Sequence, residues 1–174
     1  MKSALFAAAA LAAAVPSVAH ADEVFGGIYA HDLDLVTASG IEEGMDVQLG
    51  WRGNGIGALA AIGSPSPYAF VSVNSSGDSH FAAAGLSWKF GQRLYVRPGI
   101  GIAVHTNSGD NDFTDGRIDY GSRILFEPEI GVGYEINDRV SLEASWVHLS
   151  HAQIFGPQNP GLDTIGVRLN YRFR

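Results

Sequence analysis

Between Leu94 and His105 the chain changes character at every residue. Leu94, Val96, Pro98, Ile100, Ile102 and Val104 form one series, and Tyr95, Arg97, Gly99, Gly101, Ala103 and His105 form the other. A repeat of two is the geometry of a strand whose side chains point alternately to opposite faces. Arg123 to Ile136 behaves in the same way, with Ile124, Phe126, Pro128, Ile130, Val132, Tyr134 and Ile136 set against Arg123, Glu127, Glu129, Gly131, Gly133 and Glu135. One face is apolar and the other carries charge and glycine. No helical stripe interrupts this pattern in the body of the chain.

A soluble β-sandwich also alternates, but it buries the apolar face, sends charge to water and uses strands of about 5–6 residues. The alternating segments here run to about 10–14 residues, near the length a tilted strand needs to cross a bilayer. Their polar faces also balance, with Arg97, Arg123, Arg168 and Arg172 against Glu127, Glu129, Glu135 and Glu143. In a small barrel, filled by its own side chains, such groups are buried and must find partners. The expected fold is therefore all-β, an eight-stranded antiparallel transmembrane β-barrel with an Arg/Glu network in its lumen.

Composition agrees. The 174 residues are 46% hydrophobic and 17% charged, with 22 glycines, no cysteine and a formal charge of −7. The lack of cysteine excludes a disulfide framework, a thiolate nucleophile and a Cys-ligated zinc site. The acidic balance argues against a nucleic-acid partner. Beyond residue 21 no apolar run reaches the roughly 18 residues of a spanning helix. Residues 1–21 read as a cleavable signal peptide, with a basic Met1-Lys2-Ser3, an apolar Ala4 to Val15, a breaker at Pro16 and an Ala19-His20-Ala21 cleavage site. An uncleaved anchor is disfavoured because the apolar run is short. Residues 22–174 then form one barrel domain.

Eight strands are expected, at Asp22 to Ala30, Gly44 to Arg52, Pro67 to Asn74, Ser79 to Phe90, Leu94 to His105, Arg123 to Ile136, Arg139 to Leu149 and Thr164 to Phe173. Short turns at Phe90–Leu94 and Ile136–Arg139 alternate with long connections at Val104–Ser122 and Ser150–Asp163, as in outer-membrane barrels with periplasmic turns and extracellular loops. Gly53 to Pro67 fits poorly and is expected to be a periplasmic excursion with a small element of its own. Trp51, Trp88, Phe90, Tyr134, Trp146, Tyr171 and Phe173 are expected to supply an aromatic girdle.

One strand breaks its own rule. From Val140 the outward series runs Val140, Leu142, Ala144 and Trp146, then continues as His148 and Ser150, while Val147 and Leu149 fall on the lumenal side. Asp163 shares the outward parity of Ile165, Val167 and Leu169. In an antiparallel hairpin the end of one strand lies beside the start of the next, and residues i and i+2 on one face are roughly 7 Å apart. His148, Ser150 and Asp163 thus converge near the outer end of the barrel, on a surface that faces lipid. They are the parts of a Ser-His-acid site: nucleophile, general base, and a carboxylate that fixes the imidazole tautomer. From parity alone the competing reading stays open, that of ordinary polar residues at a barrel rim.

The run His148-Leu149-Ser150-His151-Ala152, followed by Gln158-Asn159-Pro160-Gly161-Leu162-Asp163 and the closing strand, resembles the outer-membrane lipid A 3-O-deacylase (PagL) family. The family pattern is a His-x-Ser-Asn-Ala core with an acidic residue about fourteen positions after the histidine. The resemblance implies an enzyme, a serine esterase that removes an ester-linked 3-hydroxyacyl chain of lipid A, with Ser150 as nucleophile, His148 as base and Asp163 as orienting acid. It implies no metal or cofactor. Its partners would be lipopolysaccharide in the outer leaflet of the Gram-negative outer membrane and the surrounding lipids, with no nucleic acid, and with a homodimer left open. Asp163 departs from the family's glutamate and lies one residue further on. His151 replaces the asparagine that helps hold the oxyanion, and Gln153 replaces a glycine whose amide does the same. A backbone N–H of residues 151–153, or the side chains of His151 or Asn159, would substitute. The alternative function is a non-catalytic small barrel, structural or adhesive, working through its loops.

Other residues rank lower. His105 ends a lumenal face and His80 lies near a turn, so both are expected to be structural or solvent-facing. Asp110 to Gly116 has calcium-ligand residue types without EF-hand spacing and reads as a polar extracellular loop. Gly99-Ile100-Gly101 and Gly131-Val132-Gly133 are expected to make room in the lumen.

Overall fold

The computed structural model describes residues 22–36, 40–107, 116–152, 154 and 160–173. The proposed leader, the acidic stretch 110–115, Gln153 and Asn159 lie outside the described residues. Among the described residues, nine β segments form one antiparallel sheet: β1 Glu23–Ala30, β2 Met45–Arg52, β3 Ser66–Asn74, β4 Phe81–Ser87, β5 Phe90–Gly91, β6 Leu94–His105, β7 Ile124–Glu135, β8 Val140–Leu149 and β9 Leu162–Arg172. β1 pairs with β9 and β4 with β6, so the sheet closes on itself. No helix among the described residues is long and apolar enough to cross a membrane.

β4 and β5 are two parts of one barrel stave, giving eight in all. Ser87 pairs with Gly99 and Phe90 with Val96, so the register runs unbroken across the gap. Trp88 stands opposite Pro98 and donates its N–H to the Pro98 carbonyl at 2.9 Å. Proline has no N–H to return, and the ladder lapses there for want of that one donor. The excursion 53–65 holds a 3₁₀ helix, Gly57–Ile62, none of whose residues is buried. Trp88 Nε1 donates to the Ile62 carbonyl at 2.7 Å and holds the helix against the outer wall.

The expected faces are the observed ones. Ile100, Ile102, Val104, Ile130, Val132, Val167 and Leu169 are exposed on the outer wall, whereas Tyr95, Arg97, Glu127, Glu129, Glu143 and Arg168 are buried inside. Arg168 Nη2 donates to Glu129 Oε2 at 3.0 Å, and Arg97 Nε to Glu143 Oε2 at 3.0 Å. Arg172 meets Glu135 at 2.9 Å. Two expectations for this network need correction. Arg123 is exposed, because it precedes β7 and lies outside the lumen. Glu127 is hydrogen-bonded by the Tyr68 hydroxyl. Arg52 and Glu23, which pair with each other, join the network from β2 and β1.

We call the end holding Asp22 and Arg172 proximal and the opposite end distal. Trp51, Trp88, Phe90, Tyr134, Tyr171 and Phe173 all lie toward the proximal end of their strands, forming a single girdle. Trp146 alone of the seven sits distally, near the end of β8. Inside, the distal half of β8 turns apolar with Val147 and Leu149, joined by Leu125 and Leu162. Above them a buried carboxylate knots the distal loops together. Glu42 accepts from His31 Nε2 at 2.9 Å, Ser79 Oγ at 2.9 Å, Asn107 Nδ2 at 2.8 Å and the Ile118 N–H at 3.0 Å. Burial opposes a charge on His31, but its contacts with Asp46 and Glu42 prevail and raise its pKa to about 9; for Glu42, burial is likewise outweighed by its donors and the pKa falls to about 2.

Candidate active site

β8 and β9 run side by side in a register that sets Trp146 opposite Ile165 and His148 opposite Asp163. Cβ atoms of directly opposed residues are about 4.5–5.5 Å apart, so a short carboxylate reaches an imidazole without a longer side chain. Asp163 Oδ1 lies 2.9 Å from His148 Nδ1. A carboxylate can only accept, so Nδ1 carries a proton, and in the neutral imidazole this tautomer keeps the lone pair on Nε2. This direct opposition answers the question raised by the extra residue between histidine and acid.

Ser150 lies just past the end of β8, yet it keeps its place on the outer face. Its N–H donates to the Phe126 carbonyl at 3.1 Å and its carbonyl accepts from the Phe126 N–H at 2.8 Å. Between these bonds and the Glu129–Val147 pair the same register places Pro128 opposite His148, and proline again leaves one ladder bond unmade. The structure therefore joins His148 to Asp163 by a hydrogen bond and sets Ser150 two residues along the same face. Its amide is committed to β7.

The outward parity holds, but the residues are covered. His148 is 6% exposed, Ser150 8% and Asp163 0%. The cover comes partly from the first distal loop. The Leu33 N–H donates to the Asp163 carbonyl at 2.9 Å, and the Val36 N–H to Asp163 Oδ2 at 2.9 Å. Strand alternation carries no information about such a loop, and the sequence reading missed it. It missed a second partner as well. Trp146 Nε1 donates to Asp163 Oδ1 at 2.8 Å, and its ring stacks on His148 with centroids 5.7 Å apart and planes 23° apart.

His151 is fully buried and its carbonyl accepts the Ile154 N–H at 3.0 Å. Ala152 adopts φ +52°, a left-handed conformation uncommon outside glycine, and turns the chain sharply just after the serine. His105 lies apart from this region and donates to the Ser122 carbonyl at 2.7 Å, and His80 Nδ1 accepts the Asn74 N–H at 3.0 Å. Both are structural.

A family model described as lipid A 3-O-deacylase (PagL) matches residues 39–172. The chain belongs to this family. A curated relative, lipid A deacylase PagL of Bordetella bronchiseptica (strain ATCC BAA-588 / NCTC 13252 / RB50), is 35% identical over 86 residues, 49% of this chain and 45% of that protein. The match thus spans less than half the length of that relative. Among solved structures, the outer membrane enzyme PagL superposes with a TM-score of 0.62 at 17% identity, over 87% of this chain and 99% of that one. A de novo designed transmembrane β-barrel gives 0.56 at 12% identity, over 91% and 99%, and Neisserial surface protein A 0.54 at 12%, over 90% and 100%. These likenesses show the fold. This PagL-family chain is an outer-membrane β-barrel, with its apolar wall turned to lipid.

Proposed function

We propose that the chain is a lipid A 3-O-deacylase, a serine esterase acting at the distal end of its outer wall in the outer leaflet. The observation that carries this reading is the His148–Asp163 hydrogen bond at 2.9 Å, on an outward face that lipid exposure alone would keep apolar. With Nδ1–H directed to the carboxylate, Nε2 accepts the proton of Ser150 Oγ as that oxygen attacks the acyl carbonyl. Collapse of the tetrahedral intermediate breaks the ester C–O bond, and the imidazolium returns the proton to the leaving sugar oxygen. Water, deprotonated by the same nitrogen, then cleaves the acyl-enzyme and releases the 3-hydroxy fatty acid. No metal or cofactor enters these steps.

The Ser150 amide is bonded to Phe126, so the developing oxyanion would be met by donors beyond it, in residues 151–153 or at Asn159. A substrate held in the membrane by its own acyl chains can be met only at the wall, and placement there is the barrel's contribution to the rate. Residues 1–21 would be removed on export.

Mass spectrometry of lipid A from cells expressing the wild type, Ser150→Ala and His148→Asn tests the reading. The wild type is expected to remove the mass of one 3-hydroxyacyl chain and both variants to leave it. An unchanged acyl pattern with folded wild-type barrel in the outer membrane would overturn the enzyme and favour the structural or adhesive alternative. Activity in Ser150→Ala would overturn the nucleophile.

A further inference from the structure

Aromatic residues at a membrane boundary ordinarily turn their polar edge toward headgroups and water. Trp146 does not. It lies two residues before His148 on the same outward face, and its indole N–H is spent on Asp163 Oδ1, the oxygen that also receives His148 Nδ1. The other oxygen, Oδ2, receives the Val36 N–H. Donors on both oxygens fix the plane of the carboxyl group. The Trp146 ring, 23° from parallel to the imidazole at 5.7 Å, limits rotation of His148 about its own side chain. The indole and the imidazole share Oδ1, so loss of the indole removes a donor from the very oxygen that faces the Nδ1–H.

We infer that Trp146 is a positioning residue of the esterase site, holding the Asp163 carboxylate in line with His148 by its indole N–H and the imidazole ring by its stacked face. The inference rests on the proposed function. Hydrogen bonds to a charged group in a water-poor setting are among the stronger ones, and this one lies one group away from the reacting atoms. Trp146 acts through Asp163 and the imidazole ring, so its contribution is expected in turnover.

The test is a double-mutant cycle on the purified barrel in detergent micelles containing lipid A, with kcat and KM measured for wild type, Ser150→Ala, Trp146→Phe, Asp163→Asn and Trp146→Phe/Asp163→Asn. Trp146→Phe keeps an aromatic ring and removes the donor. It is expected to lower kcat about tenfold with KM unchanged, and to cause no further loss when Asp163 is already asparagine. A general structural role would lower both backgrounds alike. Wild-type turnover in Trp146→Phe, a loss confined to KM, or a loss that persists in full on the Asp163→Asn background would each overturn the inference. If Trp146→Phe does not fold, as judged by heat-modifiable mobility, benzothienylalanine at position 146 replaces N–H by sulfur in nearly the same shape and gives the same comparison. A wild type without turnover would overturn the esterase reading itself. An active wild type with a silent Ser150→Ala and an unaffected Trp146→Phe would overturn only the role of Trp146.

Discussion

His148 and Asp163 stand directly opposite each other on β8 and β9, and Asp163 Oδ1 meets His148 Nδ1 at 2.9 Å. Asp163→Asn replaces an acceptor pair with an amide that can offer its NH₂ group to Nδ1 and so favour the wrong tautomer. Deacylation of lipid A in micelles is expected to fall by about a hundredfold or more, with the barrel still folded. Asp163→Glu must fold a longer side chain into a space fitted to aspartate and is expected to retain part of the activity. Full activity in Asp163→Asn would remove the carboxylate from the site.

Arg168 is completely buried in the lumen, where it donates to Tyr29 Oη at 2.5 Å and Glu129 Oε2 at 3.0 Å and approaches Glu143 Oε1 at 3.7 Å. Arg168→Met leaves both carboxylates facing an apolar group. Removal of one partner from a buried ionic cluster costs about 3–5 kcal/mol, so the midpoint of urea unfolding in lipid vesicles is expected to drop accordingly. An unchanged midpoint would mean that the lumen hydrates these carboxylates well enough to dispense with the cation.

Two glycines should respond in opposite ways to alanine. A Cβ on Gly166 would collide with the Ile28 carbonyl and the Tyr29 ring, one of them main chain that cannot step aside. Around Gly57 in the 3₁₀ helix there is nothing within 4 Å. Gly166→Ala is expected to cost about 1–3 kcal/mol by overpacking. Gly57→Ala should be neutral or stabilise by about 0.4–1 kcal/mol through the unfolded chain. Unfolding midpoints measured side by side decide both.

The His31–Glu42 pair makes the distal cap sensitive to pH. His31 has its pKa raised to about 9, so its stabilising contribution is complete below its ordinary value of about 6.5 and is lost as pH rises through about 9. Glu42 has its pKa lowered to about 2, so its contribution is complete above the ordinary glutamate range and is lost as pH falls toward about 2. The cap is therefore expected to be firmest near pH 5–6. Protease cleavage of the distal loops should increase between pH 6.5 and 9 in the wild type, and the increase should be absent in His31→Gln. A flat wild-type profile would exclude the charged imidazole as a strut.

The sequence alone determined which way each barrel residue faces, because alternation depends only on the pleat of the strand to which it belongs. That is why the lumenal Arg97, Glu129, Glu143 and Arg168 and the outward His148 and Asp163 were legible without coordinates. The prolines were legible as residues but not in their effect: Pro98 breaks a stave and Pro128 opens the ladder beside His148 only because of what the register puts opposite them. The tertiary structure decided what covers the site and what holds it. Val36 reaches Asp163 across 127 positions of sequence, and Glu42 gathers the Ile118 amide across 76. Such contacts exist only once the sheet has closed and brought the distal loops together over one end. Trp146 shows the division most clearly: parity put it on the lipid-facing wall, but only the pairing of β8 with β9 gave its indole a carboxylate to bind.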